Sequence, residues 1–427
     1  MSADENMNNS LFRFKSIPIK DRIVSIDTVR GFALLGILVV NTLFFAFPLN
    51  IALQPPFEEQ IGSHNQFTDW ISWWFVNLFF QYKFMTLFSI LFGVGAAIQY
   101  QRAQLSGTNF DAFFIRRMVV LLGFGILHAV LFWYGDILTI YACCGVWLLL
   151  FCRLSNKTLI LLTIGLLLFT AILSGGFTLV DQMVTPPGRE ATGLTGFEAI
   201  WSSGLDPKSD IWMQAELVAY QQGPYLDLFV FRAISWLMYL IVLMVSNGWH
   251  VTAMFALGVV LYRTGFFSDE GVRIRRLAMY VGLPIGLLVE GICFYAMMLY
   301  FKEEPIHLTW IMMAHELSVP LVSLGYAAIM ITLTRRSVLP KVLYAFSCVG
   351  RMALTNYLLE TFIMTSLFYY YGLGLFGEVG RIYLIPIALG TWIALSLFSV
   401  AWLGSYKQGP LEWLWRRLAY GSSSQRG

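Results

Sequence analysis

The sequence predicts an all-α protein, a polytopic transmembrane helix bundle of about ten crossings (ten to eleven helices), with the N- and C-termini cytoplasmic. Three observations predict it. Of 427 residues, 58% are hydrophobic and only 12% are charged, about half the charge of a soluble domain. Apolar runs recur at the length needed to cross about 30 Å of hydrocarbon, which takes about twenty helical residues. Basic residues gather in alternate gaps between those runs, as they do on the cytoplasmic side of membrane proteins. Twenty-eight basic and 25 acidic residues are too few to coat a soluble fold of this length. That excludes a cytosolic enzyme, a nucleic-acid binder and a disordered chain. The net charge of +3 selects no anionic partner, so the expected partner is the lipid bilayer.

The elements follow in order. Residues 1–21 read as a cytoplasmic tail. They are polar, with no apolar core, and so are not a cleavable signal peptide; the first span is expected to serve as the insertion signal. Residues 22–180 form an N-terminal transmembrane half, 181–224 an extracytoplasmic loop, 225–406 a C-terminal transmembrane half and 407–427 a cytoplasmic tail. The apolar runs are 31–48, 70–101, 113–134, 137–152, 157–180, 225–262, 277–300, 309–333, 343–370 and 383–404. Arg22, Arg102, Arg117, Arg153, Arg276, Arg335 and Arg416 are among the residues expected to face the cytoplasm; Asp69, Asp136, Asp206 and Glu303 fall in the gaps facing outward.

Two runs are too long for one simple span. In 225–262 the pair Asn247-Gly248 interrupts the apolar pattern, which predicts one crossing plus a broken, re-entrant or interfacial piece. In 70–101, Trp70, Trp73 and Trp74 predict an interfacial aromatic helix leading into a span, with Lys83 near the join. The five cysteines all lie in or beside apolar runs, with no metal-ligand spacing. They read as small packing residues, and no metal is expected.

Ionisable groups inside a span are costly unless paired or wetted, so they mark candidate sites. Asp27 and Arg30 stand three apart and share a helix face. Asn41 follows Arg30 by eleven residues, three turns on and nearly in line. Gly31 and Gly36 let another helix approach that stripe. The plainer reading is a membrane anchor with one salt bridge and one interhelical hydrogen bond.

His128 lies in the outer half of its run, and Asp136 follows at a tight turn. A carboxylate beside a histidine orients its ring and raises its basicity, which suits a base or proton shuttle. The same pair could instead tie helices together and cap one. Arg351, Thr355, Asn356 and Glu360 share neighbouring faces in GRMALTNYLLE. Glu290, His307, His315 and Glu316 form a further group; HE is followed by no second histidine one turn on, so the metalloprotease pattern is absent. His64 and His250 sit near interfaces. No P-loop, serine elbow or dinucleotide fingerprint occurs.

RIVSIDTVRGFALLGILVVN, KFMTLFSILFGVG, RRMVVLLGFGILHAVLFWYGDILTIYA, GRMALTNYLLE and GPLEWLWR, taken in order, resemble the YeiB-type bacterial inner-membrane family. The resemblance covers most of the chain and implies a multi-pass protein of the bacterial cytoplasmic membrane, with homodimerisation as a further expectation. The first motif is also similar to the opening span of two groups of membrane acyltransferases. The envelope O-acyltransferases match at Arg22, Asp27, Arg30 and Gly31, but carry a histidine where this chain has Asn41. The heparan-α-glucosaminide N-acetyltransferases carry an asparagine there and take their histidine from a later segment.

Those likenesses imply a membrane acyltransferase that moves an acyl group from a cytoplasmic acyl-CoA or other acyl thioester to an acceptor at the outer face, either a small molecule or a lipid. Under that implication His128, Asp136 and Asn41 are catalytic: His128 as base or acyl carrier, Asp136 as its orienting partner and Asn41 as oxyanion donor. Arg22, Asp27, Arg30, Lys83, Arg351, Asn356 and Glu360 would bind donor or substrate. His64, His315 and Glu290 rank below them, with His64 the alternative to His128. A transporter or lipid-handling protein without covalent chemistry is the alternative, resting on Glu290, His315, Glu360 and the broken 225–262 run.

Overall fold

In hydrocarbon every backbone amide must find its partner within the chain, and a run of apolar residues does so by coiling into a helix. The regular structure of the described residues is accordingly helical. The computed structural model describes residues 24–56, 65–184, 209–300 and 305–420. In chain order the helices are α1 (Val24–Ala46), α2 (Leu49–Leu53), α3 (Gln66–Phe79), α4 (Lys83–Ser106), α5 (Phe110–Leu131), α6 (Leu138–Gly145), α7 (Leu148–Phe151), α8 (Asn156–Val184), α9 (Asp210–Gln222), α10 (Tyr225–Val245) and α11 (Asn247–Arg263). They continue as α12 (Val272–Leu277), α13 (Leu283–Tyr300), α14 (Pro305–Arg335), α15 (Pro340–Arg351), α16 (Ala353–Phe368), α17 (Arg381–Ser405) and α18 (Pro410–Tyr420).

Among the described residues, eight segments are long and apolar enough to cross a membrane, nine if the bent pair α15–α16 counts as one broken span. The chain is therefore a multi-pass helical membrane protein. Of the ten expected crossings, run 137–152 is the one absent from the count of nine, while run 225–262 gives the expected single span plus a broken piece. Run 137–152 folds as α6 and α7, eight and four residues long, too short for a crossing helix each. Run 225–262 breaks at Ser246, where the Ser246 hydroxyl donates back to the Val242 carbonyl at 2.7 Å; α11, beyond the break, has seventeen residues. Run 70–101 behaves as expected: α3 ends at Phe79, and α4 opens at Lys83 after Tyr82, whose φ is 62°.

The helices sort by burial. The most apolar stretches of α1 and α14 are 61% and 56% buried, and α1 packs on α4, α14, α15, α16 and α17. In α10 and α13 the outward faces carry Leu237, Ile241, Leu288 and Ile292 exposed, the pattern of helices bathed by lipid. Close approach at the centre depends on glycine. A Cβ on Gly31 would overlap the Phe346 carbonyl, and one on Gly350 the Asp27 carbonyl, so α1 and α15 cross backbone to backbone. Gly93 and Gly258 do the same for α4 and α11.

At Met352 the chain bends by 89° between α15 and α16, leaving the first amides of α16 without helical partners. The Glu412 carboxylate, from α18, supplies acceptors: the Leu354 amide donates to it at 2.7 Å, the Thr355 amide at 3.1 Å and the Thr355 hydroxyl at 2.6 Å. Burial pushes the Glu412 carboxyl up from its ordinary range, and these hydrogen bonds pull the other way. Asn356 ties the bend to α17, donating to Val349 O at 3.1 Å and to Ser399 Oγ at 2.9 Å.

Candidate functional site

Two cavities lie in series along α1. The larger, about 500 Å³, has five arginines in its wall (Arg30, Arg102, Arg117, Arg351 and Arg416) against two carboxylates, Asp27 and Glu412. Arg30 donates to Asp27 at 3.2 Å, as their spacing predicts. Arg117 lies over the Trp415 ring, 4.3 Å from its centroid, so α18 closes part of the cavity wall. The smaller cavity, about 130 Å³, is lined by nine aromatic side chains, the amides of Asn41, Gln81 and Asn247, and one charged residue, Asp136. Ile37, Ile137, Tyr141 and Tyr357 line both cavities. Arg30 and Asn41, about 16 Å apart along the axis of α1 by helical rise, therefore serve two chambers that share one wall.

The hairpin between α5 and α6 positions Asp136. Its Oδ1 meets His128 Nδ1 at 2.9 Å, and its Oδ2 accepts from the Thr139 amide and hydroxyl, both at 2.7 Å. Gly125 makes room for this turn, since a Cβ there would collide with Thr139 and Asp136. His128 Nε2 meets Thr361 Oγ1 of α16 at 2.9 Å, and the Tyr357 ring lies 5.0 Å away. His128 is thus held at both nitrogens. Asp136, not His128, lines the smaller cavity. The sequence brings these two residues together; Asp136 borders the chamber, and its side chain, like that of His128, is shut off from solvent.

The remaining candidates divide. Asp27, Arg30 and Arg351 line the larger cavity and Asn41 the smaller. Asn356 serves the α15–α16 bend. Glu360 is buried, and its Oε1 has no hydrogen-bond partner among the described residues. Arg22 and His64 lie outside the described residues.

Lys83 lines neither cavity. It is fully buried and paired with Glu290 of α13, donates to Asn77 O at 2.7 Å, and lies 5.3 Å from the Phe294 ring centroid. His315 Nδ1 meets the same carboxylate at 3.0 Å, and Ser318 donates to it as well. Beside this group, His250 Nδ1 meets Glu316 at 3.1 Å and its Nε2 meets Thr86 at 2.7 Å. The sequence groups Glu290 with His315 and sets Lys83 apart; the fold joins all three.

Sequence reasoning also missed members of the sites. Arg102, Arg117 and Arg416 read only as topology markers. Thr361 gave no signal, because its place depends on the rotation of α16 about its own axis. Tyr82 gave none either: only the structure shows its positive φ, a conformation that costs a non-glycine residue about 1–3 kcal/mol. It sits on the wall of the smaller cavity, with its ring 5.4 Å from that of His315.

A family model described as "Protein of unknown function (DUF418)" matches residues 261–422, from the end of α11 to just past α18. The Escherichia coli (strain K12) protein "Uncharacterized protein YeiB" is 32% identical over 414 residues, covering 93% of this chain and 96% of that relative. "Uncharacterized protein YxaH" of Bacillus subtilis (strain 168) is 31% identical over 425 residues, covering 94% of each. No solved structure matches. Similarity of that degree across nearly the full length places the chain in the YeiB-type DUF418 family of membrane proteins.

Proposed function

We propose that this chain is a membrane-embedded acyltransferase of the bacterial cytoplasmic membrane, passing an acyl group from a thioester donor in the arginine-lined cavity to an acceptor in the smaller one. One observation carries the reading: the two cavities share the wall formed by Ile37, Ile137, Tyr141 and Tyr357. In this reading the larger cavity faces the cytoplasm, an orientation its five arginines support. There five guanidinium groups suit the phosphates of an acyl-CoA-type donor, and the apolar wall beyond Leu34 suits its acyl arm.

The acceptor's nucleophilic O–H or N–H loses its proton to Asp136 as the new bond to the thioester carbonyl forms. Asn41, on the same chamber, donates a hydrogen bond to the developing oxyanion. The C–S bond then breaks, and the proton passes to the departing thiolate. His128 holds Asp136 in place. Positive-inside topology with both ends cytoplasmic belongs to the same proposal.

The test is direct binding and turnover of a short-chain acyl-CoA by the purified protein. Arg30→Ala and Arg351→Ala should weaken donor binding, each by about tenfold. Asn41→Ala should leave binding intact and lower turnover by a factor on the order of 10² to 10³. A wild-type protein that neither binds nor consumes any acyl-CoA overturns the reading.

A second reading, proton-coupled transport, draws on the buried carboxylates Glu290 and Glu316 with their two histidines. Glu290→Gln reconstituted in vesicles would then abolish a pH-driven flux; retained flux removes that reading.

A further inference from the structure

Two interruptions of the helical bundle meet at the smaller cavity. Between α3 and α4 the chain turns at Gln81 and Tyr82, and between α10 and α11 it breaks at Ser246. Gln81, Tyr82 and Asn247 line the chamber together with Asn41 of α1. Broken helices at membrane depth are tolerated where they border a cavity, and they build the substrate sites of many transporters. Holding Tyr82 at a φ of 62° costs about 1–3 kcal/mol, strain of the kind that collects at ligand sites.

The accessible wall carries no charge. Asp136, its single charged residue, has no exposed side-chain surface, and its oxygens are taken by His128 and by the Thr139 amide and hydroxyl. Asn41, Gln81, Asn247, Tyr82 and Tyr239 are each partly exposed. Asn247 Nδ2 donates to Ser246 Oγ at 3.2 Å; the Asn41 and Gln81 carboxamides make no hydrogen bond among the described residues. A carboxamide both donates and accepts, and so does a hydroxyl. An ammonium brings donors only and a carboxylate acceptors only, and either would be stranded here without a counter-ion. A hydrocarbon chain would leave the amides unanswered, at about 1–3 kcal/mol for each buried group. The aromatic side chains of the wall suit the C–H faces of a hydroxylated ligand. A volume of about 130 Å³ falls below the range of drug-sized pockets, so it takes a small polyol or the polyol end of a longer molecule.

We propose that the smaller cavity is a polyol site: it takes an uncharged ligand with two or more neighbouring hydroxyls, hydrogen-bonded by Asn41, Gln81 and Asn247 within the aromatic wall. This stands on the cavity itself and not on acyl transfer. Where the acyl-transfer reading also holds, the acceptor is an alcohol and the product an ester. The C–O bond forms as the C–S bond breaks, and the hydroxyl proton ends on the departing thiol.

The experiment uses the full-length protein in detergent without any acyl donor. It is titrated with glycerol, and with propan-1-ol, propylammonium chloride and sodium propionate as the one-hydroxyl, cationic and anionic counterparts. Binding is read by calorimetry and by tryptophan fluorescence, since Trp133 lines the chamber. Glycerol should bind at least about tenfold more tightly than each counterpart, and Gln81→Leu or Asn247→Leu should remove most of that preference. 1-Monohexanoylglycerol separates the sources: binding tighter than that of both glycerol and hexan-1-ol assigns the polyol end of a lipid, and any other order assigns a free polyol. Glycerol that binds no more tightly than propan-1-ol, or not at all, overturns the polyol site. So does a charged counterpart that binds more tightly, or a preference that survives in both variants. The wild-type comparison needs no variant, so the outcome stands even where the variants fail to fold. A polyol preference with no thioester turnover keeps the site and sinks the acyl-transfer reading; turnover with amine acceptors alone does the reverse.

Discussion

Of the three histidine–carboxylate pairs among the described residues, two are built for opposite ends. In one, Lys83 meets Glu290 with His315 and Ser318 closing round the same carboxylate, and the ammonium and carboxylate are fully buried. In the other, His128 and Thr139 hold Asp136 so that it lines a cavity empty of basic residues. The first group carries its own counter-charge and presents nothing to a ligand. The second has no lysine or arginine within ion-pair reach among the described residues and borders a cavity. The same residue types make a strut in one place and a binding or chemical group in the other, and the counter-ion decides which.

The largest expected effect falls on the open group. Asp136→Asn keeps the side chain's size and most of its hydrogen bonds, so the unfolding temperature in detergent should hardly move. Turnover should fall by about 10² to 10⁴, the usual worth of a positioned proton acceptor. A large stability loss with unchanged turnover would make Asp136 a strut like Glu290 and erase the distinction.

The closed group should respond the other way. Lys83→Met leaves Glu290 buried without its ammonium, which costs about 3–5 kcal/mol. Adding Glu290→Gln to that variant should recover much of the loss, since it removes the stranded charge. Thermal unfolding of the four proteins in one detergent reads the cycle. If Lys83→Met instead leaves stability intact while altering a proton-driven flux, the cluster is a transport element.

The contrast also shows what could be read without coordinates. Local features were legible. The Asn247-Gly248 interruption lies at the observed break after Ser246, the tryptophan-rich α3 leads into α4 at Lys83, and Asp27 pairs with Arg30 one turn away. Each depends on residues within a few positions of one another. Asp136 and His128 stand eight apart across a tight hairpin, and were legible for the same reason. The closed group was legible only in part: Glu290 and His315 read as one group, but Lys83 did not join them, because Lys83 and Glu290 are 207 residues apart. Which helices meet depends on small residues such as Gly93 and Gly258, and on rotations that no single run reveals. The Glu412 cap on α16 was hidden for that reason too. Its motif looked like a tail, yet its carboxylate answers amides freed by a bend elsewhere.

Another buried carboxylate sharpens the comparison, because it has no counter-ion among the described residues and lines neither of the two cavities. Glu216 lies on α9, outside the spans, 3% exposed, accepting from the Leu49 amide at 3.2 Å. No cation pairs with it among the described residues. Burial pushes its carboxyl up from 4.5 to about 8, with the Leu49 hydrogen bond opposing in part. The folded chain thus holds this proton across a window where the unfolded chain has lost it. The stability it gives is complete below about pH 4.5 and drains away as pH rises toward 8. Between about pH 6 and 8 the wild type should lose about 1–2 kcal/mol that Glu216→Gln, which cannot ionise, retains. Unfolding temperatures of the two proteins across that range decide it. Parallel curves would mean that Glu216 is compensated after all, and that a buried carboxylate in this fold needs neither a lysine nor a ligand to stay charged.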